Sequence, residues 1–198
     1  MSIGFHIAEA TSTVSLSIAL ADVMKQYPEL FREDVKIASF FGSFPLMWNG
    51  GRMILGRLYP ERAKAVLDAY NQRGIPYRFT FTNPHITEEQ LDDRDCNMIL
   101  DMADNGMNEV IVYSSVLEEY IRKTHPKMKL TSSTCKCIRD MNELKAELAK
   151  DYSLVVLDYN FNNNFEELEK LTAEERKKCE ILSNPVCVPG CTRREAHY

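Results

Sequence analysis

A chain of 198 residues with 44% hydrophobic and 27% charged side chains, and only 8 glycines and 8 prolines, has the make-up of one globular domain spanning residues 1–198. That excludes collagenous, low-complexity and disordered classes, and a formal net charge of -5 offers nucleic acid or anionic lipid no general attraction. No apolar run approaches the roughly 20 residues that cross a bilayer, and Met1-Ser2-Ile3-Gly4-Phe5-His6 lacks the basic start and small-residue cleavage site of a secretory signal. The expected location is therefore the cytoplasm, with no membrane partner. There, 6 cysteines read as buried small hydrophobes, metal ligands or redox groups before disulfides.

In chain order the pattern alternates short apolar strands with amphipathic helices. A strand is predicted from Ile3 to Ala8 and a helix from Thr11 to Gln26, then a strand from Val35 to Phe41. The connection Trp48-Asn49-Gly50-Gly51-Arg52 leads to a helix with Pro60 in its first turn and Gly74 just past its end. Tyr77 to Thr82 alternates as a third strand, Asn83-Pro84 breaks it, and Thr87-Glu88-Glu89-Gln90 has the spacing of a capping box opening a helix that Asn105-Gly106 ends.

A fourth strand is predicted from Glu109 to Tyr113, a second capping box at Ser115-Val116-Leu117-Glu118, and a helix running to His125-Pro126. Lys129 to Thr134 is the fifth strand, Asp140 to Lys150 a helix, and Leu154-Val155-Val156-Leu157 the sixth strand. Asn162-Asn163-Asn164, an amphipathic segment from Phe165 to Leu171 and a seventh strand from Cys179 to Ser183 complete the series.

Short strands joined by helices imply a mostly parallel sheet, since each strand must return through a crossover. A doubly wound sheet usually places phosphate-binding glycines after its first strand, whereas the first turn here is Ala8-Glu9-Ala10-Thr11. The expected fold class is therefore α/β, a (β/α) TIM-barrel-like domain of about seven parallel strands. The length suits seven units or an incomplete barrel.

Ligands of parallel βα proteins bind at the carboxyl ends of the strands. The polar residues expected there include Glu9, Asn49, Arg52, Asn83, Asp158 and Asn160, the candidate substrate-binding set. Asn and Asp also end strands simply as turn formers and helix caps. Glu9 and Arg52 are not turn formers, and Gly50-Gly51 beside Arg52 could present main-chain N–H groups and a planar cation to an anion. Trp48 reads equally as a core plug, a lid or a substrate platform. No nucleophile constellation and no phosphate-loop spacing is present, so catalytic residues are not assigned.

Cys96 falls inside an amphipathic helix as a buried thiol, and Cys179 begins the seventh strand at the floor of the barrel. Cys135 and Cys137 close the fifth strand at a spacing that, on a strand, points both sulfurs the same way. Cys187 and Cys191 flank the turn Val188-Pro189-Gly190 past the seventh strand. Four soft ligands on one rim suit an iron-sulfur cluster, or zinc as the alternative, while reduced thiols in a metal-free binding or scaffold domain are the competing reading. His85 and His125, beside prolines, are expected in solvent, and His6 half-buried.

The segment Ser183-Asn184-Pro185-Val186-Cys187-Val188-Pro189-Gly190-Cys191-Thr192-Arg193-Arg194-Glu195-Ala196-His197-Tyr198 resembles the Asn, C-x3-C, Arg and His-Tyr signature of the collagenase-like peptidase superfamily of TIM-barrel proteins. Its members include iron-sulfur proteins of oxygen-independent ubiquinone and tRNA hydroxylation. The resemblance implies a barrel with a four-cysteine cluster in which Cys187 and Cys191 match the last two ligands. The earlier ligands do not align cleanly, so Cys135 or Cys137 would have to substitute for a cysteine at the position of Cys179. The implied partner is a small-molecule or RNA-borne substrate, with a protein partner or a second copy left open. Peptide hydrolysis rests on the superfamily name alone.

Overall fold

The computed structural model describes residues 3–8, 11–50, 56–183, 190, 191 and 193. Seven strands, β1 (Ile3–Ile7), β2 (Val35–Gly42), β3 (Tyr77–Phe81), β4 (Glu109–Val112), β5 (Lys129–Ser132), β6 (Leu154–Val156) and β7 (Cys179–Glu180), form one sheet in sequence order, every neighbouring pair parallel. Helices α1 (Val14–Gln26), α2 (Pro60–Asn71), α3 (Arg94–Ala103), α4 (Ser115–Thr124), α5 (Met141–Leu148), α6 (Phe165–Leu168) and α7 (Ala173–Lys177) occupy the crossovers.

A flat sheet of seven strands would hold β1 and β7 about 29 Å apart at roughly 4.8 Å per strand. Instead His6 Nε2 on β1 lies 3.9 Å from Glu180 Oε2 on β7, so the sheet curls into a half-barrel. Among the described residues no strand lies between these two edges. The architecture is an incomplete TIM-barrel-like α/β fold, with seven strands among the described residues where a full barrel has eight.

The period-two alternation of β3 shows how the layers separate. Tyr77, Phe79 and Phe81 are buried against the helices, with the Tyr77 and Phe79 rings 4.8 Å apart and the Phe40 ring tilted 4.7 Å from that of Tyr70 of α2. Arg78 and Thr80 face the concave side, where Arg78 meets Glu180 and Thr80 meets Ser43. Trp48 is a core plug: fully buried, edge-on to Phe81 at 5.5 Å, with its indole N–H donating to Gln90 O at 2.8 Å.

Several boundaries differ from the sequence reading. The capping box at Thr87 opens a 3-10 turn, Glu88–Asp92, and Asp93 then caps α3 by accepting from Cys96 N at 2.8 Å. Two cap residues in tandem start two elements where one was expected. The cap of α4 is Ser114, whose Oγ accepts from Leu117 N, one residue before the predicted Ser115. The segment predicted to run from Phe165 to Leu171 stops at Leu168, and a capping box of Thr172 with Glu175 restarts the chain as α7. His125 is buried beneath Asp101 and Thr124, not in solvent, because its imidazole is held by both. No described helix is long and apolar enough to cross a membrane.

Candidate functional site at the carboxyl rim

The rim above β5 and β6 is built from three tied segments. Strand β5 ends at Ser132, earlier than predicted, and Ser133 caps a 3-10 turn over Thr134–Lys136 by accepting from Cys135 N at 3.1 Å. Thr134 Oγ1 donates to Leu157 O at 2.8 Å, locking this turn to the end of β6. Lys136 reaches outward to the helix layer, where its ammonium lies 2.6 Å from Glu147 and 2.9 Å from the Tyr152 hydroxyl. Cys137 ends the turn in the left-handed region at φ 52°, a conformation uncommon away from glycine. Cys135 is buried and Cys137 half-buried. Because both sit on a turn, strand alternation does not set the direction of their sulfurs.

The third segment is the C-terminal turn. Gly190, at φ +73°, donates its N–H to Asn160 Oδ1 at 3.0 Å, and Arg139 Nη2 donates to Cys191 O at 3.2 Å. Asp158, buried at the end of β6, lies 3.8 Å from Arg139 Nε through Oδ2 and accepts from Asn160 N at 2.9 Å through Oδ1. Asp158, Asn160 and Arg139 thus form one clamp around residues 190 and 191. It brings half-buried Cys191 within one arginine side chain of the backbone two residues past Cys137.

Glu9, Arg52 and Cys187 lie outside the described residues. Among the described residues, no three Cys, His, Asp or Glu side chains gather as a group able to hold a metal ion. Cys135, Cys137 and Cys191 are all described, and they do not gather as such a group. Cys96 is buried in α3 and Cys179 opens β7: burial pushes the Cys96 thiol far up, and burial with Glu175 nearby pushes Cys179 up to about 11.

At the other side of the rim, Asn49 is buried and donates to Phe44 O, while its Oδ1 has no hydrogen-bond partner among the described residues. Asn83 donates to Met47 O at 2.9 Å and accepts from His85 N, stapling this loop to the end of β3. A Cβ on Gly50 would stand 2.1 Å from Thr82 O, so close backbone packing requires glycine there. A cavity of about 500 Å³ nearby is lined by Thr11, Ser43, Arg57 and Arg62, the last two flanking the start of α2. Sequence reasoning missed both arginines, although Arg57-Leu58-Tyr59-Pro60 precedes a helix start that it located.

It also missed the polar cluster inside the barrel. Fully buried Arg78 of β3 donates to Glu180 of β7 at 2.8 Å and lies 3.4 Å from Glu109 of β4. His6 Nδ1 meets Ser39 Oγ at 2.7 Å, and Thr131 donates to Glu109. The signal was present in Tyr77-Arg78-Phe79-Thr80-Phe81, where a strand with one aromatic face carries a cation on the other.

Against family models, curated proteins and solved structures alike, the chain finds no match.

Proposed function

We propose that this protein is a metal-binding barrel that holds a thiophilic centre, an iron-sulfur cluster or else zinc, at the rim above β5 and β6, and that a small or RNA-borne substrate meets it there. The ligands assigned are Cys135, Cys137, Cys187 and Cys191. What supports the reading is the clamp of Asp158, Asn160 and Arg139 on residues 190 and 191, which draws the end of one cysteine pair to the rim that carries the other. Soft thiolates at such a rim suit zinc or iron-sulfur chemistry. No catalytic step is assigned.

Iron, sulfide and zinc analysis of anaerobically purified protein tests this, with Cys191→Ala and Cys96→Ala as the pair of variants. The proposal requires bound metal in the parent and in Cys96→Ala and its loss in Cys191→Ala. A second reading, a metal-free domain that binds a ligand at its polar rim, is favoured by the buried Asn49 Oδ1 and the arginine-lined cavity beside it. Metal-free parent protein would select that reading.

A further inference from the structure

The two edges of the half-barrel face one gap. β1 is paired only with β2 and β7 only with β6 among the described residues, so each turns a row of unpaired main-chain groups toward the seam. The seam is a cavity of about 860 Å³ walled by Ile3, Phe5 and His6 on one side and Glu180, Ile181 and Leu182 on the other. Ile3, Phe5 and Ile181 are 46%, 47% and 48% exposed there, a patch of large apolar side chains in an otherwise buried sheet. Among the described residues seven strands run in unbroken parallel order, so a strand added at the seam in the same direction would continue the pattern toward the usual eight.

The inner wall has a charge of its own. Arg78 is one cation against two carboxylates, Glu109 and Glu180, and burial lowers the pKa of His6, keeping its imidazole neutral near pH 7. The cluster therefore carries one net negative charge, with Glu180 at the cavity wall. A second copy of this chain is a poor occupant, because its own open edges bring His6 and Glu180, the wrong chemistry for this wall.

We propose that the seam between β1 and β7 is a docking groove for an extended segment of a partner protein, about five residues long, that adds as a parallel strand and turns a lysine or arginine inward toward Glu180. Main-chain hydrogen bonds to both edges supply the attachment, and side chains on alternating faces supply the choice of partner. Outward positions of the added strand cover Ile3, Phe5 and Ile181 with apolar side chains. A segment matching the five residues of β1 spans about 17 Å at roughly 3.3 Å per residue.

The test uses the full chain and two labelled, end-capped pentapeptides, one alternating valine with lysine and the other valine with glutamate. Fluorescence anisotropy gives their affinities, and amide hydrogen exchange reports on Ile3–Ile7. The lysine peptide should bind at least about tenfold more tightly than the glutamate peptide, as expected where charge complementarity selects a partner, and should slow exchange across β1. Glu180→Gln should narrow that preference. If this variant does not fold, having left Arg78 with one partner fewer, Phe5→Ser on the exposed wall should weaken lysine-peptide binding instead. Equal affinity for the two peptides, no binding of either, or binding without protection of β1 overturns the proposal. So does a dimer whose β1 amides are protected before any peptide is added, which would make a second copy the occupant.

Discussion

Glu147 of α5 is a buried carboxylate at the centre of the contacts that anchor Lys136, between the two cysteines of the β5 rim. Burial alone would raise its pKa. Lys136 and Lys150, each donating at 2.6 Å, and Ser132, also at 2.6 Å, overcome that and hold the carboxyl at about 2. The folded state therefore favours the ionised form. This stabilisation is complete above the ordinary value of 4.5 and is lost as the pH falls from there toward 2. The difference corresponds to at most about 3.4 kcal/mol. Because Lys150 is half exposed and screened by water, about 2 kcal/mol is the working figure. Glu147→Gln should then lower stability at pH 7 by about 2 kcal/mol, or about 4–8 °C in Tm for a domain of this size. At pH 3 the loss should be about half as large, since the parent carboxylate is by then protonated only in the unfolded chain. Urea titrations of parent and variant at the two pH values measure this. A loss that is the same at both, or below about 0.5 kcal/mol at pH 7, refutes the electrostatic account of this anchor.

Gly50→Ala, which would drive a Cβ to 2.1 Å from Thr82 O, should destabilise the fold by about 1–3 kcal/mol or more as the loop is pushed off β3; thermal melting against the parent decides. Trp48→Ala should cost about 3–5 kcal/mol, because it empties a fully buried site among Phe81 and Tyr120 and removes the donor to Gln90. In native protein stripped of metal, iodoacetamide at mildly alkaline pH should label Cys137 and Cys191 before Cys96 and Cys179, whose thiols burial holds in the protonated form; mass spectrometry of peptides gives the order. Asn160→Ala removes the acceptor of Gly190 N–H, and faster amide exchange at residues 190 and 191, with little change in Tm, is the expected readout.

Strand direction was legible because short strand segments alternate with helix signals, and the sequential order followed from preferring a barrel to a doubly wound sheet on the glycine-free turn after β1. Boundaries were less so where two signals compete within a few residues. Thr87 and Asp93 can both cap, Ser114 and Ser115 are both serine, and the strand that reads Lys129 to Thr134 is cut short where Ser133 accepts from Cys135 N and starts a 3-10 turn. The rim was found as a place, since Asp158 and Asn160 follow a plain buried strand. Their shared work with Arg139 on the C-terminal turn was not, because it joins residues 30 or more positions apart. The interior cluster of Arg78, Glu109 and Glu180 was hidden for the same reason. Charged residues in short strands read as solvent-facing until the curl of the sheet brings β3 and β7 across the same space.

X-ray absorption at the edge of whichever metal co-purifies tests the central claim most directly, because it counts the atoms bound to it. The expected result is a shell of sulfur at roughly 2.3 Å, four cysteine thiolates for zinc, or thiolate plus bridging sulfide for iron, disappearing in Cys187→Ala and Cys191→Ala while the chain stays folded. A shell of nitrogen or oxygen, or the same sulfur shell in both variants, would contradict it.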